Sequence, residues 1–179
     1  GGGWAGRFIW LLDVIGHKAY HYLNGGIQAW PADKLSTDVP ASGNAPVRLH
    51  IDSAPTATRE YLQSRLGADD LVIWDARGPQ EFSGEKVLAA KGGHIPGAIN
   101  FEWTAGMDFN DHLRIRQDIA EVLKQLGITP DKEVITHCQT HRRSGFTYLV
   151  AKALGYPRVK AYAGSWSEWG NHPDTPVEV

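Results

Sequence analysis

The sequence contains a single cysteine and carries almost no net charge. Cys138 has no second cysteine for an intrachain disulfide, and one thiolate cannot build a cysteine-rich zinc site. The formal net charge of -2 gives no support for binding nucleic acid or an anionic membrane surface. No apolar run reaches the roughly 18 residues that a membrane-spanning helix needs. We therefore expect a globular protein, cytoplasmic by default, that binds neither nucleic acid nor membrane.

The chain also lacks an initiating methionine, and an internal repeat offers an explanation. At an offset of 139 positions, residues 6–30 align with residues 145–169 without a gap. Gly6 falls on Gly145, and the tryptophans that end both segments coincide. Both copies read as a helix ended by glycine, a short strand and a turn that leads to tryptophan. We infer the end of one domain followed by a whole second domain.

This repeat divides the chain into three parts. Residues 1–30 are interpreted as the C-terminal remnant of a first domain, residues 31–46 as a linker and residues 47–179 as the complete domain. The linker is rich in Pro, Ser, Asp and Ala and has no apolar period. The alternative is a single domain decorated with an N-terminal helix and strand.

The remnant raises a packing problem. It would form one helix over residues 4–16 and one strand over residues 18–23, without the other strands of its domain. We therefore expect that its apolar side chains lack a core and pack against the missing part, which would be a separate chain, or swap with a neighbouring molecule. The side chains concerned are Trp10, Leu11, Val14 and Ile15.

Helices and strands alternate in the second domain. Helical spacing of apolar residues predicts helices over residues 57–67, 112–126 and 144–154. Short apolar runs predict strands over residues 71–74, 98–101, 133–137 and 159–162. This order predicts an α/β fold with a mostly parallel central sheet flanked by helices. In such sheets the site lies at the carboxyl ends of strands, where the segment from Cys138 to Arg143 is expected.

The chemistry of this segment favours a reactive cysteine. Thiols react as thiolates, which are stabilised beside cations and at helix N-termini. Two cations, Arg142 and Arg143, lie within five positions of Cys138. His141 lies within the same distance and adds a further positive charge if it is protonated. Ser144 is expected to cap the following helix and to leave backbone amides directed into the loop. Such a loop would stabilise either the thiolate or an anionic adduct on its sulfur. A buried, inert cysteine is the less favoured alternative.

The length of the loop narrows the choice of anion. Arg143 follows Cys138 by five positions, which is one residue fewer than in the related C-x5-R loops of cysteine phosphatases. The longer loop accommodates a tetrahedral oxyanion, which arginine binds with two hydrogen bonds. The shorter loop should form a tighter cradle, suited to one extra sulfur atom.

Several motifs around this loop resemble those of the rhodanese family. The resemblance covers most of residues 57–172. Besides the cysteine loop, the matching segments are Asp75-Ala76-Arg77, Glu81-Phe82-Ser83-Gly84, Gly93 to Asn100, and Gly164-Ser165-Trp166 with Trp169. The order of the motifs and the linker are similar to the tandem plan of bacterial members. That plan implies a rhodanese-like fold for residues 47–179, preceded by the remnant of a catalytically silent first domain.

The resemblance implies a sulfurtransferase. Cys138 would take a sulfane sulfur from thiosulfate as a persulfide and pass it to cyanide or a thiol, with no cofactor beyond that persulfide. The loop that binds the outer sulfur would comprise Gln139, Thr140, His141, Arg142 and Arg143. Supporting roles would fall to Asp75, Arg77, Ser144 and Trp166. Asp75 and Arg77 are expected to be structural, and Trp166 to pack in the core or wall the pocket.

Other interpretations stay open at this point. Vertebrate rhodaneses carry cations where this chain has Gln139, Thr140 and, near a second position, Glu81, so the donor and the acceptor are undetermined. A phosphatase or arsenate reductase of the related loop type is one alternative. A persulfide carrier or binding module that serves a partner protein is another. The histidines, such as His94 and His137, fit no metal-ligand spacing, so we expect no metal.

Overall fold

The computed structural model describes residues 2–39, 43, 46 and 48–179, and a four-stranded parallel sheet lies at its centre. Part of the predicted linker lies outside the described residues. The helices are α1 (Gly3–Val14), α2 (Arg59–Arg65), α3 (Pro79–Phe82), α4 (Ile119–Gln125), α5 (Arg143–Ala153) and α6 (Ser165–Trp169). The strands are β1 (Leu71–Asp75), β2 (Ile99–Asn100), β3 (Met107–Asp108), β4 (Arg114–Ile115), β5 (Glu133–His137) and β6 (Val159–Ala161). Short 3-10 turns cover Gly26–Ala29, Ala32–Lys34 and Trp103–Gly106.

The central sheet confirms the predicted α/β class. Its strand order is β2-β1-β5-β6, and all three pairings are parallel. Strand β1 pairs with β5 from Leu71–Glu133 to Asp75–His137, so both strands end at the same edge. One apolar layer contains side chains of α1, α4 and α5, and the other contains side chains of α2 and α6. In the described residues no helix has the length and apolar character needed to cross a bilayer.

The helix predicted over residues 112–126 is wrong in its first half. It begins only at Ile119, because the backbone before it turns in a hairpin in which β4 pairs antiparallel with β3. His112 and Leu113 adopt φ values of 53° and 59°, which no α-helix contains. Ile115, which fitted the helical period, lies in β4 and packs against the core from there.

The strand predicted over residues 18–23 is also absent. Helix α1 forms as expected, but the described residues contain no strand that pairs with residues 18–23. A strand needs a neighbouring strand to pair its backbone hydrogen bonds, and the described part of the chain supplies none beside residues 18–23.

Helix α1 is not left without a core, contrary to expectation. It packs along α5, and Ile9 is buried in the same apolar layer as that helix. Trp10 is half-buried and donates from Nε1 to the Pro55 carbonyl at 3.2 Å. Val14 and Ile15 are half-buried, and only Leu11 of the four stays largely exposed. Helix α5 and the apolar layer around it therefore bury much of the apolar surface of α1.

Helices α1 and α5 are in close contact at Gly6 and Gly145, and polar side chains join them near their C-terminal ends. Gly6 and Gly145 face each other so tightly that a Cβ on Gly6 would overlap the Gly145 carbonyl. Asp13 is fully buried, accepts hydrogen bonds from Tyr148 at 2.8 Å and pairs with Lys152 at 3.3 Å. Gly6 with Gly145 and Asp13 with Lys152 are pairs of residues one repeat apart. The division into a remnant and a complete domain stays a prediction, but α1 and α5, the two helices of the predicted repeat, do lie side by side.

Candidate active site

Cys138 lies between β5 and α5, beneath a cavity of about 460 Å³. Cys138 is only 1% exposed and is one of the residues that line this cavity. The cavity is lined by Trp4, Arg7, Glu81, Lys86, Leu88, Cys138, Gln139, Thr140, Arg142 and Arg143. Five of the ten site residues predicted from the sequence line this cavity, namely Cys138, Gln139, Thr140, Arg142 and Arg143. The other five, which are His141, Ser144, Asp75, Arg77 and Trp166, are buried around the loop.

The loop is anchored by a serine that sequence reasoning missed. The Ser165 hydroxyl accepts hydrogen bonds from the Cys138 amide at 3.3 Å and the His141 amide at 3.0 Å. It also donates to the Tyr162 carbonyl at 3.0 Å. Ser165 belongs to the Gly164-Ser165-Trp166 segment that resembles the family motif, so the sequence did contain a signal for it, although only Trp166 was predicted to support the site. One hydroxyl therefore ties both ends of the first loop turn to α6.

The remaining loop amides are not used in this way. Within the described part of the chain, the amides of Gln139, Thr140 and Arg142 donate to no protein acceptor. The Gln139 side chain holds the loop from outside, because its Nε2 donates to the Leu88 carbonyl at 3.1 Å. Three unpaired N–H groups next to a thiol are well placed to bind an anion.

Arg143 forms an ion pair with a residue distant in sequence. Its guanidinium donates to both carboxylate oxygens of Glu81, at 2.5 and 2.7 Å. Burial disfavours the Glu81 carboxylate, but Arg143 and the Gly78 amide hold the pKa of Glu81 below its ordinary value. The pKa of Arg143 is raised, first by its hydrogen bonds to Glu81 and to a lesser extent by the nearby Cys138. Arg143 therefore links the cysteine to a fixed negative partner.

Asp75 and Arg77 form a buried ion pair below the loop. Arg77 donates to the two Asp75 oxygens at 3.0 and 2.6 Å and to the Gly93 carbonyl at 2.8 Å. The guanidinium lies 4.3 Å from the ring centre of Trp166, which is itself buried and does not wall the cavity. Burial opposes ionisation of Asp75, yet His137 and Arg77 keep its pKa below the ordinary value. Both side chains are buried, and neither lines the cavity.

Two expectations for the end of the loop are wrong. Ser144 does not cap α5, because the helix begins one residue earlier and Arg142 occupies the cap position. The Ser144 hydroxyl instead lies 2.9 Å from Nδ1 of His141. His141 adds no positive charge, because burial and then Arg7 lower its pKa to about 3. Its ring meets the edge of Trp10 at 4.7 Å between centroids.

Cations surround the mouth of the cavity. Lys86 and Arg142 are exposed, and Arg7 from α1 is half-buried. The Arg142 guanidinium lies 5.8 Å from the ring centre of Trp4, which also belongs to α1. No local sequence signal marked Trp4, Arg7 or Lys86, because only the docking of α1 and the loop after α3 brings them to the cysteine. In the described residues no group of three or more His, Cys, Asp or Glu side chains is arranged to hold a metal ion.

Comparisons with known proteins agree with this architecture. Residues 58–172 match the rhodanese-like domain. The chain is 77% identical over 181 residues to the thiosulfate sulfurtransferase of Pseudomonas aeruginosa and 72% identical to that of Azotobacter vinelandii, and each alignment covers 100% of this chain and 67% of the relative. It is 33% identical over 193 residues to the sulfur carrier protein TtuD of Thermus thermophilus, covering 97% of this chain and 66% of the relative.

A solved structure with the same fold is also similar. The anaerobic ergothioneine biosynthesis enzyme from Chlorobium limicola, in complex with trimethyl histidine, superposes with a TM-score of 0.85 at 26% identity. The match covers 98% of this chain and 45% of that chain. The chain thus spans about two thirds of the Pseudomonas and Azotobacter sulfurtransferases and less than half of this solved chain. On the match over residues 58–172 and on these identities, the chain belongs to the rhodanese family.

Proposed function

We propose that this protein is a thiosulfate sulfurtransferase that carries sulfur as a persulfide on Cys138. The observation that carries the proposal is the position of the only cysteine, which lies at a strand end beneath a cation-lined cavity. The identities of 77% and 72% to proteins named thiosulfate sulfurtransferase support the same reaction.

The reaction needs one cysteine and no added oxidant. The Cys138 thiolate attacks the outer sulfur of thiosulfate, the S–S bond of thiosulfate breaks, and sulfite leaves with the electron pair. Cyanide then attacks the outer sulfur of the persulfide, and the product thiocyanate leaves as the thiolate is restored. A thiol acceptor attacks in the same way and becomes a persulfide itself. The proposed cycle uses no cofactor other than the persulfide.

The loop residues take separate roles in this proposal. The amides of Gln139, Thr140 and Arg142 bind the anionic outer sulfur, since they have no protein acceptor among the described residues. Arg143, held by Glu81, contributes positive potential at the sulfur. His141 is neutral and contributes its backbone only.

The buried residues support the loop from below. The Trp166 amide donates to the Cys138 carbonyl at 2.9 Å, and Arg77 packs over the Trp166 ring. Asp75 fixes Arg77, and Ser144 fixes the imidazole of His141. We propose that these four residues act through the shape of the loop and touch no substrate.

The proposal also includes a partner that covers the exposed surface of α1. Phe8 is 60% exposed, and a cavity of about 430 Å³ separates this helix from residues 20–28. We propose that the rest of a tandem rhodanese covers this surface, within the same polypeptide or as a separate chain. A hydrophobic dye should bind the 179-residue chain, and a chain as long as the Pseudomonas relative should bind less. Equal dye binding by the two chains would contradict the proposal that a further part of the protein covers this surface.

The mass of the intact protein tests the reaction. Incubation with thiosulfate should add one sulfur atom, cyanide should remove it, and Cys138→Ala should gain none. If the folded protein gains no sulfur, the proposal fails. Hydrolysis of an aryl phosphate that is lost in Cys138→Ser would then indicate the phosphatase alternative.

A sulfur carrier is the second candidate function, favoured by the 33% identity to the Thermus protein of that name. A carrier would form the persulfide but transfer it faster to a protein thiol than to cyanide. Parallel transfer rates to cyanide and to a reduced protein thiol separate the two functions.

A further inference from the structure

Arg7 reaches the cysteine loop from outside the rhodanese-like domain. It lies on α1, before the matched residues 58–172, and it lines the cavity above Cys138. Its Nη1 donates to the Thr140 carbonyl at 2.8 Å. The contact uses one donor of a guanidinium that carries five, so further N–H groups are available to a ligand.

The charge around the cavity is not balanced. Arg143 is neutralised by Glu81, whereas in the described residues Arg7, Lys86 and Arg142 have no carboxylate within 4 Å. Arg7 also acts on the loop at a distance, since its charge contributes to the lowered pKa of His141. Three unpaired cations at one opening should attract an anion to it.

The ring of Trp4 keeps two of these cations together. The Arg7 and Arg142 guanidinium groups lie 5.9 and 5.8 Å from the centre of this ring. Trp4 is 64% exposed, which places the group at the rim, whereas Cys138 is 1% exposed at the base. When the outer sulfur of thiosulfate faces the thiolate, its three oxygens lie on the far side, toward this rim.

We propose that Arg7 is a substrate-binding residue that selects anionic sulfur donors by holding the oxygens of thiosulfate at the rim of the cavity. The inference rests on the proposed sulfurtransferase function and extends it to a residue that precedes the linker. The specificity of the site is then divided between two parts of the chain. Residues after the linker perform the chemistry, and α1 supplies a cation that recognises the donor.

Two measurements on Arg7→Gln test this role. The KM for thiosulfate should rise about tenfold, with a smaller change in kcat, as expected when a charge-assisted hydrogen bond is lost. The second measurement needs no sulfur transfer: it is the ratio of the rates at which iodoacetate and iodoacetamide alkylate Cys138. Both reagents attack the same thiol, so distortion of the loop affects them alike, whereas lost positive charge slows only the anion. The ratio should fall about threefold.

Matched variants separate charge from structure. Arg7→Lys keeps the charge and should keep most of the ratio. Arg48→Gln makes the same charge change at an exposed site beside the other end of α1, near Gly16, and should leave the ratio unchanged. Added salt should lower the ratio of the unmodified protein more than that of Arg7→Gln. Circular dichroism and thermal unfolding establish that each variant is folded.

The outcomes are distinguishable from failure of the proposed function. If the unmodified protein gains sulfur from thiosulfate but Arg7→Gln retains its ratio and its KM, the role of Arg7 is overturned and the reaction stands. An equal fall in Arg48→Gln also overturns it, because the effect would then come from net charge. If the ratio falls in Arg7→Gln but the unmodified protein takes no sulfur, Arg7 selects anions for another reaction.

Discussion

The close contact between α1 and α5 makes Gly145 sensitive to the addition of a single methyl group. A Cβ at Gly145 would lie 2.5 Å from the Arg7 amide nitrogen and 2.6 Å from the Gly3 carbonyl oxygen. Both atoms belong to the backbone of α1, so no change of rotamer relieves the overlap. In Gly145→Ala the two helices must therefore separate.

The expected loss of stability follows from three contributions. Alanine is favoured over glycine within a helix by about 1 kcal/mol. Overpacking costs about 1–3 kcal/mol, and exposure of Ile9 on separation costs about 2 kcal/mol more. We expect Gly145→Ala to lower the free energy of unfolding by about 2–4 kcal/mol, which for a chain of this size corresponds to about 4–16 °C in Tm.

Urea unfolding followed by circular dichroism measures this loss. Gly43→Ala is the matched control, because a Cβ there meets no atom within 4 Å. Gly6→Ala should destabilise the protein in the same direction, since its Cβ would overlap the Gly145 carbonyl from the other helix. If Gly145→Ala is as stable as the unmodified protein, α1 does not pack against α5 as described, and the placement of Arg7 at the cavity fails with it.

Three further changes test the site itself. Glu81→Gln should slow persulfide formation on Cys138 by about tenfold, because Arg143 loses its anchor. Since the pKa of Glu81 is depressed, the stability lost in this variant should be largest at neutral pH. The loss should begin to shrink as the pH falls through the ordinary glutamate value of about 4.5 and should vanish only below the lower pKa of the folded state, which urea unfolding at several pH values measures. Ser165→Ala should lower the free energy of unfolding by about 1–3 kcal/mol, because two buried amides lose their acceptor; unchanged stability and alkylation rate would contradict the anchoring role. Since His141 has a pKa of about 3 when folded and an ordinary value when unfolded, it should make stability rise with pH between about 3 and 6.5, and His141→Asn should flatten that slope in urea titrations.

The sequence alone was sufficient for the architecture around the cysteine. The apolar runs that became β1 and β5 and the helical stripe that became α5 are local patterns, and they placed Cys138 between a strand and a helix. The prediction of a helix over residues 112–126 was wrong in its first half, because these residues form a hairpin in which β4 pairs with β3. Ile115 contacts the core from β4 instead of from a helix. Local periodicity reports which residues are buried, but the partner that buries them also decides their conformation.

What the sequence determined by itself was the chemistry: one cysteine, a short cationic loop and the order of the motifs around it. Only the tertiary structure decided which charges act on that cysteine. Glu81 neutralises Arg143 across 62 positions, Arg7 reaches the Thr140 carbonyl across 133, and burial removes the charge of His141. The physical reason is that ionisation and ion pairing depend on distance and desolvation, which are properties of the packed chain and have no local signature in it.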